Sequence, residues 1–232
     1  MDVTVADDAE LDALVAIAER CQRDPSTSCA YVGDTHAAIR EEVLGVDDWA
    51  IHTVVAREAG EVLGWLLAEV DDEIGRVWWW GPFVTGGDFA TVADALLSVA
   101  RERLPVDIVE EEAVATPDHV ELADWCGRHG LVRQTASTIL SIDRAPEQLG
   151  DGANVRPMID RDHDDVIHLH DGLFPGTHWT GRQIVDGASG HDVMLVAVLE
   201  GMVVGYAAAE LQSDGSGYLD FVGVDPDQRG AH

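Results

Sequence analysis

Residues 217–230 read GYLDFVGVDPDQRG, and this stretch decides the fold. The apolar run from Tyr218 to Val224 is typical of a buried strand, and the Asp-Pro-Asp that follows is typical of a tight turn. Arg229-Gly230 then begins a glycine-containing loop. When a strand leads into such a loop at the start of a helix, backbone N–H groups and the helix dipole together favour an anion. The stretch therefore predicts the beginning of an anion-binding loop.

The composition is that of a folded and strongly acidic protein. The chain of 232 residues has 44 acidic and 14 basic residues, all of the latter arginine, for a net charge of -30, and its hydrophobic content is 46%. Such a surface repels nucleic acid and anionic membranes, because phosphate contacts require cations. A salt-adapted cytoplasm, a base-composition bias and a basic partner protein remain alternative explanations of the acidity.

The N-terminus and the cysteines predict a cytoplasmic protein. Residues 1–14, MDVTVADDAELDAL, lack the basic region and apolar core of a signal peptide. Cys21, Cys29 and Cys126 form no CxxC pair and no metal-ligand spacing, which indicates a reducing compartment. The sequence has no apolar run long enough for a membrane span.

The order helix, helix, hairpin, strand occurs twice along the chain. In the first copy the patterns predict helices at 8–23, 36–44, 89–104 and 117–129 and strands at 50–57, 62–70, 76–84, 106–115 and 131–143. In the second copy they predict strands at 155–157, 193–199, 203–211 and 218–224 and helices at 164–173 and 179–187. Residues 52–70 and 193–211 repeat one pattern of apolar strand, turn, glycine and aromatic residue. We place the domains at 1–146 and 154–232, joined by a polar linker at 147–153.

The hairpin at 193–211 followed by residues 217–230 resembles the GNAT N-acetyltransferase superfamily. The resemblance is strongest over 193–230 and only architectural over the first copy. It implies an α/β (α+β) fold with two mixed sheets flanked by helices, the second incomplete after its fourth strand. It also implies acetyl-CoA as co-substrate. By the same resemblance the pantetheine arm binds Val222, Gly223 and Val224. The pyrophosphate binds Arg229, Gly230, Ala231 and His232. His232 stands where the family usually has its first glycine.

The first copy departs from the family pattern. After Val84 it reads TGGDF, so Phe89 replaces the Arg or Gln and Asp88 brings a carboxylate to the expected phosphate position. The amides of Gly86 and Gly87 remain as potential anion donors, yet a structural domain is the favoured interpretation. Cys126 stands where the family often has a Tyr acting as general acid. A packed cysteine on an apolar helix face is favoured over a reactive thiol there.

Acetyl transfer to an amine needs a base, and Asp220 is the only acidic residue in the motif strand. Strand alternation predicts that Asp220 shares a face with Val222 and Val224, opposite Phe221. A solvent-facing carboxylate without a catalytic role is the alternative. The family often shapes its acceptor pocket from the loop between its first two helices. That loop makes Phe174, His178 and Trp179 candidates for acceptor contact, against ordinary packing.

The histidines at 163–178 do not have metal-ligand spacing, so no metal site is predicted. The predicted function is acetyl-CoA-dependent N-acetyl transfer to a small-molecule or peptide amine by the second copy. The alternative is a non-catalytic scaffold or a truncated fragment. Because the second copy ends near its pyrophosphate loop, the sequence predicts that residues 1–232 alone are inactive. A homodimer and the identity of the acceptor stay open.

Overall fold

The computed structural model describes residues 1–134, 136–138, 140–142, 144, 154–187, 190–212 and 215–230. The chain divides into two compact units, Met1–Thr138 and Ile139–His232. Each unit has its own sheet, of five strands in the first and four in the second, flanked by helices. This is the α/β fold class that the sequence predicts. The predicted linker at 147–153 lies outside the described residues, so the domain boundaries stay predictions.

The first unit consists, in chain order, of β1 (Asp2–Val5), α1 (Leu11–Gln22), α2 (His36–Gly45), α3 (Trp49–His52), β2 (Thr53–Glu58), β3 (Glu61–Asp71), β4 (Arg76–Val84), α4 (Phe89–Arg101), β5 (Glu110–Ala113) and α5 (Val120–Arg128). The sheet order is β1-β2-β3-β4-β5. Strands β1 to β4 are antiparallel neighbours, and β5 runs parallel to β4. A parallel pair needs a crossover, and α4 supplies it.

The core of the first unit lies between its sheet and the apolar faces of α1 and α4. Both helices repeat apolar residues every three or four positions, which places them on one face. Leu14 and Val15 of α1 and Leu96 and Leu97 of α4 are buried. Burial of one such side chain stabilises the fold by about 1.5–3 kcal/mol.

The acidic run at 110–112 forms β5 because its carboxylates have partners. Without them, three neighbouring carboxylates would repel one another and disfavour a strand. Side-chain donors from β4 and α4 neutralise or solvate the run: Arg76 donates to Glu110, Trp79 and Arg101 donate to Glu111, and Trp78 donates to Glu112.

The second unit consists of β6 (Val155–Pro157), α6 (His163–Leu173), α7 (Gly181–Val185), β7 (Val193–Leu199), β8 (Met202–Leu211) and β9 (Gly217–Val224). Its sheet order is β6-β7-β8-β9, with every neighbouring pair antiparallel. Its core gathers Val166 of α6, Ile184 and Val185 of α7, and residues of three strands. Those strand residues are Val196, Tyr206, Ala208 and Phe221.

The glycine shared by the repeated sequences has the same structural reason in both sheets. A Cβ at Gly64 in β3 would lie 2.6 Å from the carbonyl oxygen of Phe83. A Cβ at Gly205 in β8 would lie 2.9 Å from the carbonyl oxygen of Gly223. Both contacts are against backbone, which cannot move aside without breaking the strand pairing. The close approach of two strands therefore requires glycine at each position.

The aromatic residue after that glycine ties the sheet to the first long helix of each unit. The indole N–H of Trp65 donates to the carbonyl oxygen of Leu14 in α1 at 2.8 Å. Tyr206 is equally buried and its hydroxyl bonds the ring of His170 in α6. The sequence repeat thus encodes one packing arrangement that appears in both units.

Four details of the first unit differ from the sequence prediction. β1 was not predicted. The strand predicted at 50–57 begins at Thr53, because residues 49–52 form a helical turn that buries Trp49. The strand predicted at 106–115 is limited to 110–113, since the preceding residues turn to bond Gly75. The described residues of 131–142 form no strand, and Val132, Leu140 and Ile142 are exposed.

Candidate active site

The predicted pantetheine residues lie on β9, whose two faces differ sharply. Val222 and Val224 are 60% and 40% exposed, whereas Phe221 and Gly223 are buried. Strand β9 pairs with β8, and within the described part of the chain no strand pairs with its other side. Its outer edge therefore presents alternate backbone N–H and C=O groups, as an extended ligand would need.

Gly223 is required by packing beneath the strand. A Cβ at this position would lie 2.8 Å from Cε1 of Tyr206 and 2.8 Å from Cδ1 of Leu173. The tyrosine ring therefore packs closely against the glycine. The absence of a side chain at Gly223 thus allows packing on the inner face of the sheet. At the outer edge, Gly223 can contribute only its backbone N–H and C=O groups.

The turn after β9 is held by its own backbone and by Asp225. The Asp225 carboxylate accepts from the N–H of Asp227 at 2.9 Å, and the N–H of Asp225 donates to the carbonyl oxygen of Val204 at 2.9 Å. Nε of Arg229 donates back to the carbonyl oxygen of Val224 at 3.0 Å. This places the arginine against the end of the strand.

Gly230 has a backbone conformation that favours glycine, and it is open to its surroundings. Its φ of +73° lies in the left-handed region that favours glycine, and nothing lies within 4 Å of where a Cβ would be. A tight, open turn at the end of β9 fits the predicted pyrophosphate loop. The predicted contacts Ala231 and His232 lie outside the described residues.

Asp220 does not lie where strand alternation predicts. Ala208 pairs with Phe221 and Ala209 pairs with Leu219, so Asp220 is the extra residue of a β-bulge. The bulge interrupts the alternation and turns the carboxylate to the same side as the Phe221 ring. The prediction that Asp220 shares a face with Val222 and Val224 is therefore wrong.

The Asp220 carboxylate is enclosed by two imidazoles. Its Oδ2 lies 3.3 Å from Nε2 of His178 and 3.1 Å from Nε2 of His191. The Asp220 side chain is only 11% exposed, and His191 is 3% exposed, whereas His178 is 45% exposed. The cluster therefore has a buried side at His191 and an open side at His178.

The environment of Asp220 makes its carboxylate a weak base. Burial alone would raise the pKa of the carboxyl, but hydrogen bonds from His178 and His191 outweigh it and lower the pKa to about 2. A carboxylate with such a pKa holds protons poorly at neutral pH, where a general base should lie near the working pH. The carboxylate is better suited to orient an imidazole than to take a proton.

Two of the three predicted acceptor residues meet Asp220 around the ring of Phe221. His178 stacks on this ring with centroids 5.2 Å apart and planes at 25°, and Phe174 meets it edge-on at 5.3 Å. Trp179 is half-buried, with its ring 6.1 Å from that of His178. The loop between α6 and α7 is thus brought against the bulge of β9.

A buried histidine that the sequence offers only as a possible metal ligand holds this loop. Nε2 of His170 donates to the carbonyl oxygen of Trp179 at 2.8 Å, and the hydroxyl of Tyr206 bonds Nδ1 at 2.5 Å. Because Nε2 is the donor, the neutral ring accepts from the tyrosine. Burial lowers the pKa of His170 and raises that of Tyr206, which favours this neutral pair.

His191 was also missed, because nothing in its neighbourhood of the sequence links it to β9. His170 was considered only as a metal ligand, for which its spacing is wrong.

The described residues contain no cluster of His, Cys, Asp and Glu able to hold a metal ion. They contain no helix long and apolar enough to cross a membrane either.

The equivalent turn of the first unit is closed by the Asp88 side chain and by backbone hydrogen bonds. Asp88 caps α4, with its carboxylate accepting from the N–H of Thr91 at 2.9 Å. The N–H groups of Thr85 and Gly86 both donate to the carbonyl oxygen of Leu63. The expectation that the Gly86 amide remains available for an anion is therefore wrong. A cleft of about 220 Å³ beside this turn includes the carboxylate-bearing Glu121.

Cys126 packs against the core of the first unit, and burial raises the pKa of its thiol. Cys21 and Cys29 are buried, and burial raises the pKa of Cys21 to about 11. A thiol in this state is a poor nucleophile at neutral pH, because the thiolate is the reactive form. The favoured interpretation of Cys126 as a packed residue agrees with this environment.

Among the comparisons with known proteins, one solved structure supports the fold. No family model matches the sequence, and no curated protein is significantly similar to it. The crystal structure of a GCN5-related N-acetyltransferase from Sphaerobacter thermophilus superposes with a TM-score of 0.71 and 15% identity, over 99% of this chain and 77% of that chain. A ribosomal-protein-alanine N-acetyltransferase from Brucella melitensis aligns at a TM-score of 0.40 and 18% identity, over 56% of this chain and 83% of that chain.

The Sphaerobacter structure shows that this chain has the fold of the GCN5-related N-acetyltransferases. The likeness spans nearly the whole chain, so it includes the elements of both units. At 15% identity it concerns the fold alone, and the activity has to be argued from the site.

Proposed function

We propose that the protein is an acetyl-CoA-dependent N-acetyltransferase whose second unit binds the co-substrate. The observation that carries the proposal is the arrangement along β9. Strand β9 carries the imidazole–carboxylate cluster at Asp220 and then the exposed edge at Val222 and Val224. The open glycine turn at Gly230 follows directly after the strand. Acyl transfer needs a group to handle protons, a site for an extended chain and a site for phosphates, in this proximity.

The residues of the second unit fit acetyl-CoA in character. The edge of β9 offers amide and carbonyl groups to a pantetheine arm, and the turn at Arg229 and Gly230 offers a cation and an unhindered backbone to the pyrophosphate. Ala231 and His232 continue this loop in the proposal. Acetyl-CoA, when bound, supplies the acetyl thioester and a thiol leaving group.

The acceptor is proposed to be an amine that enters beside the loop between α6 and α7. Phe174, His178 and Trp179 line this loop, and the Asp220 carboxylate lies at its inner end. Aromatic faces and a carboxylate attract an ammonium group. The net charge of -30 adds a long-range attraction for cationic acceptors, whether small amines or basic peptides.

The first unit is proposed to have a structural role. Its equivalent turn lacks the Arg-Gly pair, its amides at 85 and 86 are bonded internally, and the Asp88 carboxylate stands at the start of α4. A carboxylate at this position repels phosphate. Acetyl-CoA is therefore expected to bind the protein with a stoichiometry of one.

Calorimetry with acetyl-CoA tests the proposal directly. Gly230→Asp introduces a negative charge and a strained backbone at the proposed phosphate loop, and should weaken binding at least tenfold. Gly215→Asp is the matched control, because Gly215 also has a positive φ with open space around it but lies in the turn before β9. Equal weakening by both variants, or the absence of binding to the parent protein, would contradict the proposal.

A second assay measures the chemistry. Release of free thiol from acetyl-CoA, followed with a chromogenic disulfide, should accelerate when a panel of primary amines and basic peptides is added. Mass spectrometry of the acceptor should show a gain of one acetyl group. Thiol release that ignores the amine would indicate hydrolysis of the thioester and would exclude amine acetylation.

A further inference from the structure

Within the cluster of Asp220, His178 and His191, the carboxylate is not at the surface that a substrate can reach. Asp220 and His191 are enclosed, and His178 alone among the three is largely exposed. A catalytic base must come within hydrogen-bond reach of the proton it removes. By this criterion the imidazole of His178, and not the carboxylate, faces an incoming amine.

The hydrogen bonds also determine which nitrogen of His178 can act. A carboxylate oxygen only accepts hydrogen bonds, so Nε2 of His178 must donate to Oδ2 of Asp220. In the neutral ring the lone pair is then on Nδ1. Oγ1 of Thr177 lies 3.3 Å from this Nδ1, which shows that a donor can reach it from outside the cluster.

We propose that His178 is the general base of the acetyl transfer and that Asp220 is a positioning residue that fixes the reactive tautomer, with His191 holding the carboxylate in place. This inference rests on the proposed function, since it assigns the proton transfer of that reaction. It moves the catalytic role from Asp220, as the sequence predicts it, to a residue that the sequence offers only as an acceptor contact.

The proton inventory is balanced. The acceptor enters as an ammonium ion and gives one proton to Nδ1 of His178. The amine lone pair then forms a C–N bond to the thioester carbonyl carbon, the C–S bond breaks, and the thiolate leaves with its electron pair. The amine nitrogen loses its second proton to the thiolate, which leaves as thiol, and the imidazolium releases the first to solvent.

The surroundings of His178 place one anionic carboxylate beside its ring. The charged and titratable groups around it are Asp220 of β9, His191, which bonds the same carboxylate oxygen, and His170 of α6. The low pKa of Asp220 keeps that carboxylate anionic throughout the working range, so its charge stabilises the imidazolium as it forms. His170 stays neutral because burial lowers its pKa, so it adds no opposing charge.

Steady-state kinetics of the intact protein test the assignment. His178→Gln should lower kcat by roughly 100- to 10,000-fold, the usual contribution of a general base, with acetyl-CoA binding unchanged. The acidic limb of the pH–rate profile should disappear in this variant. In His178→Gly, added imidazole should restore part of the rate. A variant with the parent rate and the parent pH profile would overturn the proposal.

Two further variants separate the roles within the cluster. Asp220→Asn should lower kcat about 10- to 1,000-fold because the amide can donate to Nε2 and favour the wrong tautomer, and Asp220→Glu should recover part of the rate. Thr177→Val removes the hydroxyl next to Nδ1 and should leave kcat within about threefold. If Thr177→Val abolished turnover, the hydroxyl would be the reactive group and the proposal would fail.

A readout without turnover distinguishes this proposal from the proposed function. The ¹⁵N NMR spectrum of His178 at neutral pH should show the Nε2–H tautomer in the parent protein and a changed tautomer ratio in Asp220→Asn. Nδ1–H as the dominant parent tautomer would overturn the base assignment even if acetyl-CoA binds. Failure of acetyl-CoA to bind the parent protein would instead overturn the proposed function.

Discussion

Gly223→Ala is a test of the packing that supports the site. The added methyl carbon would lie 2.8 Å from Cε1 of Tyr206 and from Cδ1 of Leu173. Carbon atoms normally approach to about 3.5–4.0 Å, so the neighbours must retreat by roughly 1 Å. Leu173 can rotate, but Tyr206 is buried and bonded to His170. Overpacking of this kind costs about 1–3 kcal/mol.

A glycine-to-alanine change in a strand also gains about 0.5–1 kcal/mol from the reduced freedom of the unfolded chain. Because Tyr206 is fixed, the cost of overpacking should be in the upper part of its range, about 2–3 kcal/mol. After a gain of about 1 kcal/mol, the unfolding free energy should fall by about 1–2 kcal/mol, a factor of roughly 5–30 in the opening equilibrium. Gly217→Ala is the matched control, because Gly217 lies on the same strand with nothing within 4 Å of a Cβ. It should be neutral or slightly stabilising.

Native-state hydrogen exchange followed by mass spectrometry measures both variants in the intact protein. Peptides from β8 and β9 should exchange about 5–30 times faster in Gly223→Ala and at or below the parent rate in Gly217→Ala. Peptides from α1 and β3 report the first unit and should be unchanged. If Gly223→Ala exchanged at the parent rate, Tyr206 would not be fixed against β9 as described, and the reasoning would be refuted.

Three further predictions follow from charge and burial. The melting temperature should rise from low salt to molar KCl, because the screening length falls from about 10 Å at 0.1 M to about 3 Å at 1 M and the net charge of -30 repels itself; a flat or falling melting temperature would contradict this. The three cysteines should react slowly with a thiol reagent in the native protein at pH 8 and fully in urea, since burial raises their pKa values; rapid native labelling would show an open thiol. Burial lowers the pKa of His170 below its ordinary 6.5, so the unfolded chain binds this proton first and the stability of the second unit should fall as pH drops below about 6.5 and level off above it. Hydrogen exchange, corrected for intrinsic rates, should show this dependence of stability on pH in the parent protein and a weaker dependence in His170→Gln. The same pH dependence in both proteins would exclude His170 as the cause.

Most of the fold could be predicted because its elements have regularly spaced apolar residues or clear turn and capping residues at their ends. The hairpins at 193–211 and 52–71 combine apolar alternation with turn residues, and α4 combines an N-cap at Asp88 with a repeating apolar face. β1 was missed because Asp2–Val5 has only two alternating apolar residues and no turn residues before it. The strand expected at 131–143 failed because alternation alone does not supply a neighbouring strand, and the described residues there have none.

Three of the candidate residues lie together in the structure, but their geometry could not be predicted and their roles stay predictions. Asp220, Phe174 and His178 were selected from the strand motif and the loop between helices, and the structure brings all three together. The bulge at Asp220 was not predictable, because it depends on how β8 and β9 pair over their whole length. His191 and His170 reach the site through tertiary packing, for which one sequence carries no local signal.

The tryptophans are distributed very unevenly between the two units, and this gives the second unit an intrinsic fluorescence probe. The first unit holds Trp49, Trp65, Trp78, Trp79, Trp80 and Trp125, whereas Trp179 is the single tryptophan of the second. A spectrum of the parent protein minus that of Trp179→Phe therefore isolates the emission of one indole. Trp179 lies beside the ring of His178, and its carbonyl oxygen is held by His170. Since a protonated imidazole quenches a neighbouring indole, this difference spectrum can follow the charge state of the site by fluorescence, without substrate.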